Sequence, residues 1–268
     1  MTDHADPELV DRLARLAKKR LTARGGLGVL GICGAQGSGK SSLAAALEHR
    51  LNGVGVPCAR LSLDDLYLSR AARQKLAAAV HPLFATRGVP GTHDLALGLA
   101  TLAALERGEP AALPRFDKGS DEPMLRADWP RAPARCRVLV LEGWCMGAVP
   151  QSPGELALPV NALEAQEDPQ GIWRGHANTA LGGEYQNLFA RIDALVLLAA
   201  PGWDIVARWR EQQEAELRAT GAKRAMSPAQ IARFIQHYER LTRHILTEMP
   251  ARADLTVRLD AQRRIVSL

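Results

Sequence analysis

A glycine-rich run near the start of the chain has the residues of a phosphate-binding loop. It comprises Gly34, Ala35, Gln36, Gly37, Ser38, Gly39, Lys40 and Ser41, matches the pattern G-x-x-x-x-G-K-[ST] and continues into Ser42. Glycines let backbone N–H groups turn toward phosphate oxygens, and the N-terminus of the following helix adds a partial positive charge. Lys40 is expected to reach the β- and γ-phosphates, and the Ser41 hydroxyl to ligate Mg²⁺. These residues predict a site for a nucleoside triphosphate.

Carboxylates follow two later apolar runs, where a phosphate site needs them. Asp64 and Asp65 come at the end of the run 58–63, and Glu142 ends the run 137–141. In open α/β sheets, ligands bind at the carboxyl ends of the strands. One of the two aspartates is expected to accept the proton of an incoming hydroxyl, and the other to cap the next helix. Glu142 occupies a Walker-B-like position, which predicts that it holds Mg²⁺ together with Ser41.

The motifs also narrow the class of nucleotide-binding protein. A GTPase should carry the base-reading run N-K-x-D, and no asparagine in this chain is followed by lysine. The aspartate pair instead favours phosphoryl transfer to a small molecule. Few aromatic residues lie near the predicted substrate loops, which counts against a pocket that stacks on a nucleobase. A kinase of another small alcohol, of nucleoside or pantothenate type, and a non-kinase P-loop ATPase remain as alternatives.

Short apolar runs alternate with helical stretches along the chain. The runs 27–33, 58–63, 137–141 and 194–199 are typical of strands buried on both faces of a parallel sheet. Helices are predicted at 40–51, 70–80, 94–107, 203–220 and 228–247. This alternation predicts an α/β fold of the P-loop NTPase type, with a doubly wound, mainly parallel sheet flanked by helices.

The remaining segments define the predicted domain organisation. Apolar residues recur at helical spacing over 7–24, so residues 1–26 are predicted to contribute an N-terminal amphipathic helix. Residues 27–268 are predicted to form one P-loop kinase domain. Loops at 81–92, 115–134 and 143–183 are long, and long loops in compact domains are usually functional or carry a subdomain. Residues 143–185 are therefore predicted to be a lid or subdomain insertion.

Composition and charge limit the partners and the setting of the protein. The 34 Lys and Arg residues exceed the 29 Asp and Glu residues, giving a net charge of +5. Basic clusters interleaved with aromatics are missing apart from 18–20, so small anionic ligands are expected and nucleic acid is not. The four cysteines lack the spacing of a zinc site or disulfide framework. With neither a signal core nor a membrane span, we expect a cytoplasmic protein for which a monomer is plausible.

Several runs together resemble the D-glycerate 3-kinase family of P-loop kinases, relatives of uridine, pantothenate and phosphoribulose kinases. The matching runs are 34–42, 62–69 (SLDDLYLS), 87–94 (RGVPGTHD), 113–118 (LPRFDK), 141–147 (LEGWCMG), 203–214 and 226–238. RGVPGTHD and LEGW are far more specific than the phosphate loop, and the resemblance covers most of the chain from about residue 28. The stretch GSDEP at 119–123 departs from the glycine- and arginine-containing stretch that such proteins often carry there.

The resemblance implies a reaction and a base. ATP would be the phosphoryl donor, with Mg²⁺, and D-glycerate the acceptor, giving 3-phosphoglycerate and ADP. The catalytic aspartate of related nucleoside and pantothenate kinases is the first carboxylate after the strand, which implies Asp64 rather than Asp65 as the base. Glycerate is a small anion, and its carboxylate needs a cationic partner. The candidates for that contact are Arg87, His93, Arg115 and Lys118.

The helix predicted at 203–220 is expected to lie over the phosphates. A segment here commonly closes over the nucleotide in P-loop kinases, where an arginine stabilises transition-state charge and water is excluded. Arg208 is the first choice for that arginine, with Lys223 and Arg224 in a turn beyond the helix. Trp203 and Trp209 are expected to pack in the core rather than to stack on adenine.

Overall fold

The computed structural model describes residues 5–21, 25–219 and 226–268. Its strands in these ranges are β1 (Gly28–Gly34), β2 (Cys58–Ser62), β3 (Phe116–Asp117), β4 (Glu122–Pro123), β5 (Val138–Gly143), β6 (Ala194–Ala199), β7 (Leu255–Leu259) and β8 (Ile265–Ser267). One sheet has the order β2-β5-β1-β6-β7-β8, and β3 pairs with β4 in a small hairpin. Adjacent strands of the sheet are parallel except β7 and β8. The predicted doubly wound, mainly parallel sheet is confirmed.

Helices cover both faces of this sheet. They are α1 (Pro7–Leu16), α2 (Lys40–Gly53), α3 (Arg70–Ala79), α4 (Leu95–Glu106), α5 (Pro153–Leu156), α6 (Ala162–Glu167), α7 (Ile172–Gly182), α8 (Glu184–Phe189), α9 (Trp203–Ala219) and α10 (Pro228–Glu248). Side chains of a strand alternate between faces. Val29 and Cys33 of β1 accordingly belong to one buried cluster, while Leu30 and Ile32 belong to another that includes residues of α1 and α2. None of the described helices has the length and apolar character needed to cross a bilayer.

The register of three neighbouring strands brings the chemistry-bearing residues to one edge. β5 lies between β2 and β1, and Glu142 pairs with Ser62 on one side and with Ile32 on the other. Because these strands are parallel, their carboxyl ends emerge together. The phosphate loop, the Asp64 turn and Glu142 therefore lie side by side.

The structure differs from the sequence-based expectations in several elements. The first α-helix ends at Leu16 and continues as a π-helical turn over Ala17–Leu21, so it is shorter than the predicted 7–24. Strands β7 and β8 were not predicted. The predicted loop 143–183 contains α5, α6 and α7. The turn carrying Lys223 and Arg224 lies outside the described residues.

A buried ion pair attaches the segment 143–185 to the rest of the molecule. Arg240 of α10 donates to both carboxylate oxygens of Glu164 in α6, at 2.8 and 2.7 Å, and to the carbonyl of Glu155 at 2.7 Å. A second buried pair, between Arg174 of α7 and Asp168 at 3.0 Å, lies within the segment itself. The contacts of Arg240 hold α5 and α6 against α10, while a role as a lid stays a prediction.

Candidate active site

The phosphate loop connects β1 to α2 with an open helix N-terminus. Gly37 and Gly39 have φ values of +78° and +85°, which glycine adopts without steric cost. A methyl group on Gly37 would come within 2.7 Å of Trp209 Cβ, so the loop packs directly on α9. Gly39 is the N-cap of α2, and no described side chain caps that end. The first N–H groups of a helix have no intrahelical partner, which leaves them available to phosphate oxygens.

Asp65 has the structural role of the two neighbouring aspartates. Both lie in a 3₁₀ turn, Leu63–Leu66, that follows β2 directly. The Asp65 carboxylate accepts from the backbone N–H of Ser62 at 3.4 Å and of Phe116 at 3.3 Å, and from Arg115 Nη1 at 3.3 Å. Burial raises the pKa of Asp65, while Arg115 acts in the opposite direction. Asp65 therefore ties the end of β2 to the start of β3.

Asp64 faces a different set of partners. Its Oδ1 accepts from the Tyr67 hydroxyl at 2.7 Å, and its Oδ2 accepts from Lys118 Nζ at 2.6 Å. Burial raises the pKa of Asp64, but the charges of Lys118 and Lys40 and the two hydrogen bonds outweigh it and hold the pKa well below its usual range. Asp64 is therefore an ionised hydrogen-bond acceptor at neutral pH, close to the phosphate-loop lysine.

Ser41 and Glu142 form a pair that fits a magnesium ion. Ser41 Oγ donates to Glu142 Oε1 at 2.9 Å, whereas Glu142 Oε2 is buried with no hydrogen-bond partner among the described residues. An unpaired buried carboxylate oxygen is costly unless a cation or donor meets it. The described residues contain no cluster of three or more His, Cys, Asp or Glu suited to a metal. Mg²⁺ needs none, because it is usually held by one or two protein oxygens, phosphates and waters.

The loop that carries RGVPGTHD is held by aromatic side chains from distant parts of the chain. Trp144 Nε1 donates to the Gly88 carbonyl at 2.9 Å, and the Tyr238 hydroxyl donates to the Arg87 carbonyl at 3.0 Å. The two aromatic rings contact each other edge to face, with centroids 4.9 Å apart. Gly88 has φ +134°, and a methyl group there would overlap the Tyr238 ring. This packing fixes the backbone beside Asp64.

Arg87 and His93 lie at the two ends of that loop and differ in charge. The Arg87 guanidinium lies 6.0 Å from the ring centroid of Tyr67 and pairs with Asp121. His93 stacks on the Tyr67 ring, with the ring centroids 4.7 Å apart, and its Nδ1 contacts the Tyr185 hydroxyl. Burial lowers the pKa of His93 to about 3, so the ring is neutral at physiological pH. His93 can supply a hydrogen bond to a substrate, but not a positive charge.

The other two cationic candidates are already engaged with the aspartates. Arg115 pairs with Asp65 and also donates to the Pro114 carbonyl at 2.7 Å. Lys118 is largely exposed and reaches back to Asp64. All four candidates for the carboxylate contact thus lie around the Asp64 turn: Lys118 contacts Asp64 itself, and Arg87 lies over the ring of its partner Tyr67.

The residues of α9 divide between packing and solvent. Trp209 is buried, and its Nε1 donates to the Ala261 carbonyl at 2.8 Å, which confirms the packing role. Arg208 is exposed and donates to the Asp204 carbonyl at 3.4 Å. Arg210, on the same helix, pairs with Glu214 and lies 5.5 Å from the ring centroid of Phe234. Arg208 is thus free of strong ion pairing in the described residues, and its catalytic role stays a prediction.

Sequence reasoning assigned no role to several residues that the structure brings to the site. Tyr67 donates to Asp64, and Tyr238 supports the loop at Arg87. Arg263, in the turn between β7 and β8, donates to the Gly37 carbonyl at 2.6 Å and stacks on Trp209 at 5.1 Å. Tyr67 lies inside the matching run SLDDLYLS, which could have indicated it. Arg263 lies in no motif, and only its fold neighbours reveal it.

The arrangement has the parts required for phosphoryl transfer. The N-terminus of α2 has no side-chain cap, Lys40 is its first residue, and Asp64 lies close to Lys40 as an ionised acceptor. Lys118 adds positive charge at Asp64, and Arg87 adds it over the ring of Tyr67. Such a transfer depends on positioning and on stabilising charge rather than on covalent chemistry.

Comparisons with known proteins agree with this geometry. The model of the Phosphoribulokinase / Uridine kinase family matches residues 29–151. The chain is 34% identical over 240 residues to uncharacterized kinase mug58 of Schizosaccharomyces pombe, covering 86% of this chain and 85% of that protein. It is 29% identical over 220 residues to the chloroplastic D-glycerate 3-kinase of Arabidopsis thaliana, covering 78% of this chain but only 46% of that relative.

A solved structure gives the same relationship over the whole length. The D-glycerate 3-kinase from Cryptococcus neoformans superposes with a TM-score of 0.80 at 25% identity, covering 98% of this chain and 99% of that one. The phosphate loop, the strand-end carboxylates and the two longer motifs all lie within the matched region. The chain therefore belongs to the P-loop kinases, in one family with the kinase mug58, and it is related to D-glycerate 3-kinase and uridine kinase.

Proposed function

We propose that this protein transfers the γ-phosphate of ATP to the 3-hydroxyl of D-glycerate, giving 3-phosphoglycerate and ADP, with Asp64 as the base. The observation that carries the proposal is the position of Asp64. It is an ionised carboxylate beside Lys40, and the Arg87 guanidinium lies 6.0 Å from the ring centroid of Tyr67, which donates to Asp64. An acceptor that combines a hydroxyl with a carboxylate fits this pairing of a base with a nearby cation.

The proposed reaction assigns each step to a residue of the chain. Phosphate-loop N–H groups and Lys40 hold the β- and γ-phosphates. Asp64 orients the 3-hydroxyl and takes its proton as the oxygen bonds to the γ-phosphorus and the bond to the bridging oxygen of ADP breaks. The transition state of phosphoryl transfer is loose, so the proton can leave late and a weakly basic carboxylate suffices.

Ser41 and Glu142 would hold Mg²⁺ in this reaction. When bound, the ion neutralises charge on the β- and γ-phosphate oxygens. Arg208 would supply further positive charge to the transferring group when α9 approaches the nucleotide. The buried, unpaired Glu142 Oε2 supports the metal assignment.

The names of two relatives support glycerate as the acceptor, since both are D-glycerate 3-kinases. The test is ADP release with ATP and Mg²⁺ against four acceptors: D-glycerate, L-glycerate, uridine and pantothenate. We expect turnover with D-glycerate at a kcat/KM far above that of the others, and identification of the product as 3-phosphoglycerate. Preference for uridine or pantothenate would show that the acceptor is not D-glycerate. ADP release that is independent of any acceptor would show that the protein is an ATPase rather than a kinase.

A further inference from the structure

One carboxylate beside the candidate active site faces three arginines. Asp121 Oδ2 accepts from Arg73 Nη2 at 2.5 Å and from Arg70 Nε at 3.4 Å, and its Oδ1 pairs with Arg87 Nη1. We call Arg70, Arg73 and Arg87 the arginine cluster. Glu122 accepts from the backbone N–H of Arg70 at 3.3 Å. Three guanidinium groups thus meet one carboxylate, with Glu122 bonded to the backbone beside them, and positive charge is in excess.

Arg73 is the most buried member of the arginine cluster. Its side chain is 1% exposed, and its Nε has no hydrogen-bond partner among the described residues. Its Nη1 has only the Leu68 carbonyl, at 3.4 Å. A guanidinium stays charged in proteins, and a buried charge with an unpaired donor is costly. The fork of Arg73 therefore has a free donor that an anionic ligand with two oxygens would satisfy.

Asp121 belongs to a small hairpin that also covers the base. The hairpin, residues 116–123, is formed by β3 and β4, and most of its connecting residues are exposed. Lys118 of this hairpin donates to Asp64, while Asp121 lies against the arginine cluster. The exposed residues of the connection, 117–120, can move at a lower cost in free energy than the buried end of the hairpin at Phe116.

These two contacts reproduce the polar groups of a small hydroxy acid. Lys118 donates a hydrogen bond to the Asp64 carboxylate, as the hydroxyl of an acceptor would. Asp121 offers a carboxylate to Arg73 and Arg87, as the acid group of the same acceptor would. Arg87 lies 5.5 Å from the ring centroid of Phe116 and 6.0 Å from that of Tyr67, so the two sets of contacts are adjacent.

We propose that Arg73 and Arg87 form the pocket for the carboxylate of the acceptor, and that Asp121 occupies this pocket until the acceptor displaces it. This inference rests on the proposed function, because it takes the acceptor to be a small hydroxy acid. The arriving carboxylate gains the free donor of Arg73 in addition to the bonds that Asp121 releases. Displacement of the hairpin also frees Asp64 from Lys118, which couples recognition of the acid group to exposure of the base.

The test is Asp121→Asn, which removes the competing charge and keeps a side chain of the same size. If Asp121 occupies the pocket nine-tenths of the time, the apparent KM for D-glycerate falls about tenfold in the variant, while the KM for ATP is unchanged. Glu109→Gln is the matched control. Glu109 also holds an arginine, Arg107, at 2.6 and 2.9 Å, but on an exposed surface outside the site. A KM for D-glycerate that is unchanged or raised in Asp121→Asn overturns the proposal.

A second variant tests the pocket from the other side. Arg73→Met keeps a long side chain in the buried position and removes the guanidinium. We expect a KM for D-glycerate at least about tenfold higher, because a charge-assisted carboxylate contact is lost. Activity with glycerol, which has the hydroxyls but no carboxylate, should not change. Equal effects on D-glycerate and glycerol contradict a carboxylate pocket. Thermal unfolding of each variant shows whether it is folded.

The failure of this inference can be told apart from failure of the proposed function. If the wild type turns over D-glycerate and the KM does not fall in Asp121→Asn, the proposed function is supported and the proposed pocket is contradicted. If the wild type turns over no acceptor, binding is measured instead by the shift in Tm with D-glycerate or glycerol. A larger shift with D-glycerate in Asp121→Asn than in the wild type, and none with glycerol, then supports the pocket. No shift in either protein overturns it.

Discussion

Asp64 and Asp65 have the same side chain, but their hydrogen-bond partners give them different roles. The Asp65 carboxylate accepts hydrogen bonds from two backbone N–H groups and from Arg115, so it stabilises the turn after β2. Asp64 is bonded only by side chains, Tyr67 and Lys118, in the hydrogen bonds that the structure gives it. A side-chain donor such as exposed Lys118 can move away when an acceptor hydroxyl arrives, whereas a backbone N–H cannot.

A substitution at Asp64 should therefore affect chemistry rather than nucleotide binding. We expect Asp64→Asn to lower kcat about 10²–10⁴-fold, the usual contribution of a general base, with an unchanged Kd for ATP. Asp65→Asn is the matched control, and it should lower thermal stability while keeping most of kcat. Turnover at the wild-type rate in Asp64→Asn would place the base elsewhere.

A substitution at Glu142 should change how activity depends on the concentration of Mg²⁺. Glu142→Gln keeps an oxygen for the hydrogen bond from Ser41 and removes the negative charge that a divalent cation needs. The Mg²⁺ concentration for half-maximal activity should rise about 10–100-fold, with ATP binding in EDTA unchanged. A titration of activity with Mg²⁺ measures the first quantity, and equilibrium binding of ATP in EDTA the second. An unaltered Mg²⁺ dependence would exclude Glu142 from the metal site.

At the scale of elements, the site depends on a loop that is fixed from both sides. The residues after Arg87 run against the rings of Trp144 and Tyr238, which come from the end of β5 and from α10. The close approach is possible only because Gly88 has no side chain. The positions of Arg87 and His93 relative to Asp64 therefore follow from packing between three separate segments.

Gly88→Ala should disturb this packing beyond the cost of its backbone angle. Strain at a positive φ costs about 1–2 kcal/mol for alanine, and overpacking against the buried Tyr238 ring adds about 1–3 kcal/mol. Gly108→Ala separates the two contributions, because Gly108 has φ +71° and open space around it. We expect a lower free energy of unfolding for both variants in urea, with the larger loss and a raised acceptor KM only for Gly88→Ala. Equal losses would mean that the loop has room to relax.

The elements that sequence alone predicts are those with strong local patterns. The apolar runs of β1, β2, β5 and β6 and the phosphate-loop motif need no tertiary information. Strands β7 and β8 were missed because they are short and carry polar residues such as Thr256 and Arg258 between their apolar positions. Of the helices between 143 and 185, α5 and α6 are too short to show a clear period, and α7 mixes polar and aromatic residues without one. The pairing of Asp121 with Arg73 joins residues 48 positions apart, and no local pattern reports such a contact.

For the whole molecule, two buried histidines set a limit on stability in acid. Burial lowers the pKa of His93 to about 3 and that of His237 to about 4, against about 6.5 in an unfolded chain. The unfolded state therefore binds more protons than the folded state between these values. Because stability rises with pH wherever the unfolded state binds more protons, each histidine destabilises the fold as the pH drops below about 6.5.

The size of this effect and its assignment can be measured by urea unfolding at pH 7 and pH 5. From pKa values of this size, each histidine should cost about 2 kcal/mol over that interval. His237→Gln, in α10 and away from the Asp64 turn, should lose about 2 kcal/mol less than the wild type between the two pH values, even if it is less stable at pH 7. His49→Gln, which alters an exposed histidine of α2, is the control and should follow the wild type. Parallel losses in the wild type and His237→Gln would show that His237 is protonated in the folded protein at pH 5, and that its surroundings admit the charged ring.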